Sequence, residues 1–350
     1  MLTIARSRLV QEGLEGTYHC ISRCVRRAFL CGLDKVNDKN YEHRRKWIYS
    51  RLVEMAGIFT IDVCGFSVME NHLHVVLRTR PNLSNRCTDE EIAIRWWRLF
   101  PKRRTTDNRA AEPTEEELAF ILAGEGRVEE LRTRLASLSW FMRCLKENIA
   151  RRANAEDGCT GRFWEGRFKS IALLDQAALL TCLAYVDLNP IRAGMAQNPE
   201  TSAYTSAQER IIARQAKNKL EAMKTQLRVD PNVKRNLVEQ SKRDQWLCPL
   251  VGEPNRKGFL NMNLDEYLEL LDWTGRQIIE GKKGSIPPHL APILFRLEVE
   301  KEQWLYGCLK FGTLFYRVAG KVSCIRGAAR KFGFKWLKGK HQGQTLFISD

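Results

Sequence analysis

The sequence predicts an α+β protein whose core is a ferredoxin-like split βαβ antiparallel sheet. Three observations carry this. Two alternating, β-prone segments, Phe59 to Val68 and His72 to Thr79, are separated only by Met69-Glu70-Asn71, the signature of an antiparallel pair joined by a tight turn. A third alternating segment, Gly16 to Arg23, precedes them and is separated from them by a helical stretch. A fourth β-prone segment, Gly161 to Leu174, follows a second long helical pattern, so the order is β-α-β-β-α-β with helices on one face of the sheet.

Each element has its own justification. Gly16 to Arg23 (GTYHCISR) alternates and is the first strand. From Asn37 to Gly57, Trp47, Ile48, Leu52 and Val53 fall at helical spacing, and Gly57 is the stop signal. Thr88 with Glu91 and Thr114 with Glu117 form capping boxes, each opening a short helix within an insertion at about residues 84–133. Arg127 to Ala153 reads as one long helix with Leu131, Leu135, Leu138, Phe141, Met142, Leu145 and Ile149 as its apolar stripe. Gly161 to Leu174 is expected to close the sheet as a hairpin or bent strand. Asp175 caps a helix that runs to Asn189 and is ended by Pro190 and Gly194. These elements place the core in residues 1–207, a basic helical linker in 208–245, and a helix-rich basic region in 246–350 whose Lys- and Arg-rich tail is a candidate DNA-binding surface.

Composition narrows the class. The chain has 350 residues, 44% of them hydrophobic, with Lys plus Arg at 57 against Asp plus Glu at 41, a formal charge of +16 and a pI near 9.5. That balance favours a polyanionic partner, nucleic acid first, through phosphate contacts and counterion release. No apolar run approaches the ~20 residues that span a bilayer, and the N-terminal segment is too polar for a signal peptide. The 11 cysteines include no C-x-x-C pair, which argues against a zinc ribbon or disulfide framework and for reduced thiols in a cytoplasmic protein.

The chemistry centres on His72-Leu73-His74. Side chains of a strand repeat every second residue, so both imidazoles share one face and can hold one metal ion from a rigid sheet. Far along the chain, Tyr185 and Asn189 are four residues apart on one helix, hence one turn from each other on one face. A tyrosine can attack a phosphodiester, and the Asn189 amide oxygen suits a hard cation such as Mg²⁺ or Mn²⁺. Taken singly, each of these has an ordinary structural explanation; taken together they make a nucleophile next to a Lewis acid. Arg162, Arg167 and Lys169, interleaved with Phe163, Trp164 and Phe168, suit a single strand whose phosphates meet cations and whose bases stack on rings; the competing arrangement turns the rings inward and leaves only the charges in solvent. His19 lies on the first strand and could approach such a metal, although a lone strand histidine is more often structural.

The segments GTYHCISR, FSVMENHLHVVLRT, GRFWEGRFKS and AYVDLNPIRAG, in that order between Gly16 and Ala207, resemble the HUH single-tyrosine transposases, in particular the REP-associated tyrosine transposases. The resemblance implies His72 and His74 as ligands of a Mg²⁺ or Mn²⁺ ion, Asn189 as third ligand, and Tyr185 as the nucleophile of a DNA strand cleavage that leaves a 5′-phosphotyrosine and a free 3′-hydroxyl for rejoining. It implies single-stranded or hairpin DNA ends as partner, with Thr17 and Tyr18 in the segment that reads the hairpin. Relatives act as homodimers or monomers, and the resemblance leaves both open. The chain departs from the pattern in its insertion and in Glu70, where relatives carry proline. Two competing readings remain: a sheet that binds single-stranded nucleic acid without cleaving it, and a former transposase retained as a regulator.

Overall fold

The computed structural model describes residues 10, 13–25, 30–34, 38–107, 109–224, 230–280, 294–295 and 298–347. Strand β1 (Gly16–Arg23) is followed by a two-residue ribbon, β2 (Leu33–Asp34) with β3 (Lys39–Asn40), and by helix α1 (His43–Ile58). Strands β4 (Ile61–Val68) and β5 (His72–Thr79) come next, then the short α2 (Pro81–Ser84). Helices α3 (Asp89–Leu99), α4 (Glu115–Leu122), α5 (Arg127–Leu135) and α6 (Leu138–Glu156) lead to strand β6 (Lys169–Leu173). Helix α7 (Gln176–Asp187), the short α8 (Asn189–Arg192), α9 (Ser206–Met223), α10 (Pro231–Ser241), α11 (Leu264–Glu280) and α12 (Lys301–Leu314) then precede β7 (Val318–Ala319), α13 (Val322–Lys331) and α14 (Lys340–Leu346).

The sheet runs β4-β5-β1-β6-β7. β5 lies antiparallel between β4 and β1, and β1 antiparallel between β5 and β6. The sheet is mixed rather than purely antiparallel, because β7 pairs with β6 in parallel, Ala172 opposite Val318 and Leu173 opposite Ala319. The expected capping boxes at Thr88 and Thr114 both form.

Three expectations about local structure are corrected. The stretch from Arg127 to Ala153 is two helices, because Ala136 closes α5 and Ser137 opens α6 as its N-cap, its side chain accepting from the Trp140 amide. Residues 161–168 are irregular rather than a continuous strand: Lys169–Leu173 pairs with β1, and before it the segment keeps only an isolated antiparallel bridge, Trp164 opposite Cys24, with the Glu165 amide donating to the Arg23 carbonyl (2.9 Å). The sheet is also covered on both faces. α1 and α6 bury Ile48, Leu52, Met55, Phe141 and Leu145 against Tyr18, Val75 and Leu77 on one side. α7, α11 and α12 bury Leu183, Leu271, Trp304 and Phe311 with Cys64, Val76 and Ile171 on the other. The physical reason is visible in β5, which is buried from Leu73 to Thr79 without alternation, as a strand shielded on both sides must be.

Two features seat α7 against the sheet. A Cβ at Gly65 would fall 2.4 Å from Leu183 Cδ1, so the absence of a side chain there lets the helix approach beside the β4 bulge. Asp187, fully buried, accepts hydrogen bonds from Ser206 Oγ (2.5 Å), the Ala207 amide (3.0 Å) and Tyr267 Oη (2.5 Å), tying α7 to α9 and α11. At the β4 edge, Arg78 pairs with Asp62 (2.6 Å) directly across the ladder and donates to the Lys257 and Gly258 carbonyls, so residues 247–258 clasp the outer strand. Among the described residues no helix is long and apolar enough to cross a membrane.

Candidate active site

The site forms on the α7 face of the sheet, where β1 and β5 run side by side. Their register sets His19 opposite Val76, Ile21 opposite His74 and Arg23 opposite His72, so His19, His72 and His74 share that face. His74 is the centre. Its ring lies nearly coplanar with that of His19, centroids 5.0 Å apart, meets His72 edge-on at 4.6 Å, and meets the Tyr185 ring edge-on at 5.6 Å. His19 Nε2 lies 2.8 Å from His74 Nδ1, and His72 Nδ1 is hydrogen-bonded to the Asn71 amide oxygen. His74 Nε2 is buried without a hydrogen bond.

The structure therefore brings His72, His74 and Tyr185 together, and Asn189 joins them through Arg192. Arg192 donates from Nη2 to Asn189 Oδ1 (2.7 Å) and from Nη1 to the Leu309 carbonyl (2.6 Å), and its guanidinium carbon stands 4.0 Å from the Tyr185 ring centre. The Asn189 Nδ2 is buried and unpartnered. Helix α12 closes the far side: Phe311 packs 6.0 Å from the Tyr185 ring, and a Cβ at Gly312 would fall 2.5 Å from Tyr185 Oη.

All three imidazoles are held neutral. Burial depresses His19 to about 3, helped by the Lys169 charge and by the neighbouring His72. Burial depresses His72 to about 4, with Arg23 and Arg192 adding to it, and pushes His74 well below its ordinary value, with His72, His19, Arg192 and Arg23 contributing. Lys169 is itself lowered, first by burial and then by Arg23 and Arg317. Cations thus crowd the rim of the site, and among the described residues none of Arg23, Lys169, Arg192 and Arg317 is paired with a carboxylate. Such a field favours a polyanion.

A divalent ion fits this donor set. Neutral imidazoles are ligands, His74 Nε2 is a buried nitrogen with nothing to bond, and the Asn189 amide oxygen keeps a second lone pair beyond the one Arg192 uses. Among the described residues no group of three or more His, Cys, Asp or Glu side chains is arranged to hold a metal, so an ion here depends on the two imidazoles, Asn189 and substrate oxygens.

The expected DNA-contact residues divide. Arg162 and Arg167 are exposed and Lys169 lies at the site, its Nζ 3.1 Å from the Gly312 carbonyl. Phe163 and Trp164, 1% and 8% exposed, are corrected to core residues: they pack edge to face, and Trp164 Nε1 donates to the Lys146 carbonyl (2.8 Å), so neither offers a face to a base. Phe168 is buried too. Tyr18 is likewise buried, its hydroxyl raised to about 12 by desolvation, while Thr17 is half-buried at the strand start. An aromatic that is exposed is Tyr316, between Lys169 (5.2 Å) and Arg317 (4.9 Å). Arg192 follows Asn189 by three residues on the short helix α8, and reaches Tyr185 on α7 across the break at Leu188. Tyr316, Arg317, Phe311 and Gly312 carry no sequence signal, because they reach the site only through the pairing of β7 and the packing of α12.

No family model matches the sequence, and no curated protein matches it. Among solved structures, that of a REP-associated tyrosine transposase bound to a REP hairpin is similar to this chain, with 10% identity, a TM-score of 0.35, and an alignment covering 60% of this chain and 86% of that one. At that level the likeness decides nothing about residue roles, which rest on the geometry.

Proposed function

We propose that the protein is a metal-dependent single-tyrosine DNA strand transferase, with residues 16–207 as a ferredoxin-like HUH core. The observation that carries the reading is the contact of His74, neutral, paired with His72 and with its Nε2 unpartnered, with the Tyr185 ring, to which Arg192 ties the Asn189 amide. The strand order supports the core: β1 and β4 are parallel with β5 between them, as a split βαβ unit requires.

In this reading His72, His74 and Asn189 hold a Mg²⁺ or Mn²⁺ ion, which when bound polarises a non-bridging oxygen of the scissile phosphate. Arg192 and Lys169 bind the phosphates on either side and fix the strand. Tyr185 Oη attacks phosphorus, the P–O3′ bond breaks, and the 3′-oxygen leaves as a hydroxyl after taking up a proton. The 5′-phosphotyrosine keeps a phosphodiester-level bond, so a second 3′-hydroxyl reverses the attack and rejoins strands. The reaction calls for a flexible strand, hence single-stranded DNA or a hairpin flank.

The test uses labelled single-stranded oligonucleotides carrying the palindromes that flank the gene, incubated with the full chain and Mg²⁺ or Mn²⁺. A covalent adduct that survives denaturation is expected with the wild type, and Tyr185→Phe is expected to bind the DNA and form none. Adduct formation by Tyr185→Phe would dismiss Tyr185 as nucleophile, and unimpaired cleavage by His72→Ala and His74→Ala in chelator would dismiss the metal. Binding of every oligonucleotide with no adduct would favour a non-cleaving nucleic-acid binder.

A further inference from the structure

We propose that His19 is a positioning residue: it fixes the tautomer of His74 so that Nε2 presents a lone pair to a divalent cation. The inference rests on the metal-site reading above and adds a residue to it. His19 is fully buried and comes from a different strand, 55 positions from His74 in sequence. The 2.8 Å approach joins His19 Nε2 to His74 Nδ1, and between two neutral imidazoles one ring must donate and the other accept.

The two choices differ at the far nitrogen. If His19 donates, His74 carries its only proton on Nε2, where no acceptor exists, and cannot ligate through that atom. If His74 donates from Nδ1, its Nε2 is a bare, buried lone pair on a ring that meets those of Tyr185 and His72. His72 is already in that form, because an amide oxygen can only accept, so the contact with Asn71 Oδ1 puts the proton on His72 Nδ1. Both candidate ligands then present Nε2, each steered by a hydrogen bond at Nδ1, the arrangement by which proteins orient histidine ligands. The rings are nearly coplanar, 20° between planes with centroids 5.0 Å apart, so the contact is an in-plane N–H···N hydrogen bond. In exchange, His19 Nδ1–H is left buried and unpartnered, a cost with no return in stability.

Three substitutions separate positioning from packing. His19→Gln reaches the same point with an amide oxygen that accepts from His74 Nδ1–H; His19→Asn is polar but too short to reach; His19→Leu fills the space without an acceptor. Mn²⁺ binding to the full chain without DNA is measured by the fall of the free-ion paramagnetic resonance signal, and the His74 tautomer by ¹⁵N shifts of the metal-free imidazoles. His19→Gln is expected to keep wild-type affinity within about 3-fold and the Nδ1–H form, while His19→Asn and His19→Leu weaken Mn²⁺ by about 10–100-fold and shift His74 toward the Nε2–H form. Should His19→Leu fail to fold, the Gln and Asn pair decides alone. Equal affinity in Gln and Asn variants, with an unchanged tautomer, would overturn the proposal while leaving the metal site standing. No Mn²⁺ binding by the wild type would overturn the metal reading itself, and this inference with it.

Discussion

A double-mutant cycle between Tyr185 and Gly312 tests the contact that brings α12 to the nucleophile. An alanine Cβ at 312 would sit 2.5 Å from Tyr185 Oη and 3.1 Å from Cζ, whereas ordinary contact begins near 3.4 Å. The hydroxyl must therefore retreat by about 0.9 Å, and its ring is hemmed in by Arg192 at 4.0 Å, the His74 edge and Phe311. Overpacking of this kind costs about 1–3 kcal/mol. Against it stands the gain of replacing a helical glycine by alanine, about 1 kcal/mol. Gly312→Ala is thus expected to lower stability by roughly 0–2 kcal/mol in the wild type. In Tyr185→Phe the nearest atom is gone and the next lies at 3.1 Å, so most of the clash is relieved and the same substitution is expected to be neutral or stabilising by up to about 1 kcal/mol. Urea unfolding of the four proteins gives the coupling, expected near 1–2 kcal/mol. Additivity within about 0.5 kcal/mol would show that the Tyr185 hydroxyl does not abut α12, and the account of the site's far wall would be withdrawn.

Other outcomes follow from burial. The folded-state values of His19 and His72, about 3 and about 4, lie below the ordinary 6.5, so the folded form binds fewer protons between those limits. The stability they contribute is fully present above about pH 6.5 and is lost as pH falls toward 4, with a slope approaching about 1.4 kcal/mol per pH unit for each histidine. Urea midpoints of the metal-free protein at pH 7.5, 6 and 5 check this, and a flat profile would contradict the buried neutral cluster. Phe163→Ala is expected to cost about 3–5 kcal/mol as a core truncation, while Arg162→Ala and Arg167→Ala leave the urea midpoint nearly unchanged and weaken DNA binding more steeply at low salt.

Alternation and spacing made the nearest-neighbour facts legible. They put His72 and His74 on one face and the capping boxes at Thr88 and Thr114 where they stand, but the helix expected to run from Gln176 to Asn189 breaks at Leu188, so Tyr185 ends α7 while Asn189 opens α8. What was not legible depends on register and on distant packing. His19 faces His74 only because Ile21 pairs with His74 and His19 with Val76; a shift of one residue would turn it to the opposite side. Phe163 and Trp164 show why basic-aromatic interleaving is ambiguous. The same pattern serves a stacking surface or a loop that turns its rings into the core, and the Trp164 hydrogen bond to Lys146 on α6 decides for the core. Helix α12 was separated from the site by more than a hundred residues, and nothing in KEQWLYGCLKFGTL announces a wall beside Tyr185.

The distribution of unsatisfied polar atoms separates the parts of α7–α8 that hold the fold from the parts that do not. Asp187, two residues after Tyr185, has both carboxylate oxygens engaged by Ser206, Ala207 and Tyr267, as a buried carboxylate in a stable core must. Asn189, two residues further on, leaves Nδ2 unpartnered, and His19 Nδ1, His74 Nε2 and Arg192 Nε beside it are unpartnered as well. Packing alone gives no reason to keep this cluster, since leucine at 19 or 74 would fit an apolar sheet face with no unmet bond. The sign of the unmet bonds is informative: His74 Nε2, in the tautomer argued above, lacks a cation, while Asn189 Nδ2 and Arg192 Nε lack an acceptor. In the proposed reading a metal ion would meet the imidazole, and phosphate oxygens would meet the two donors.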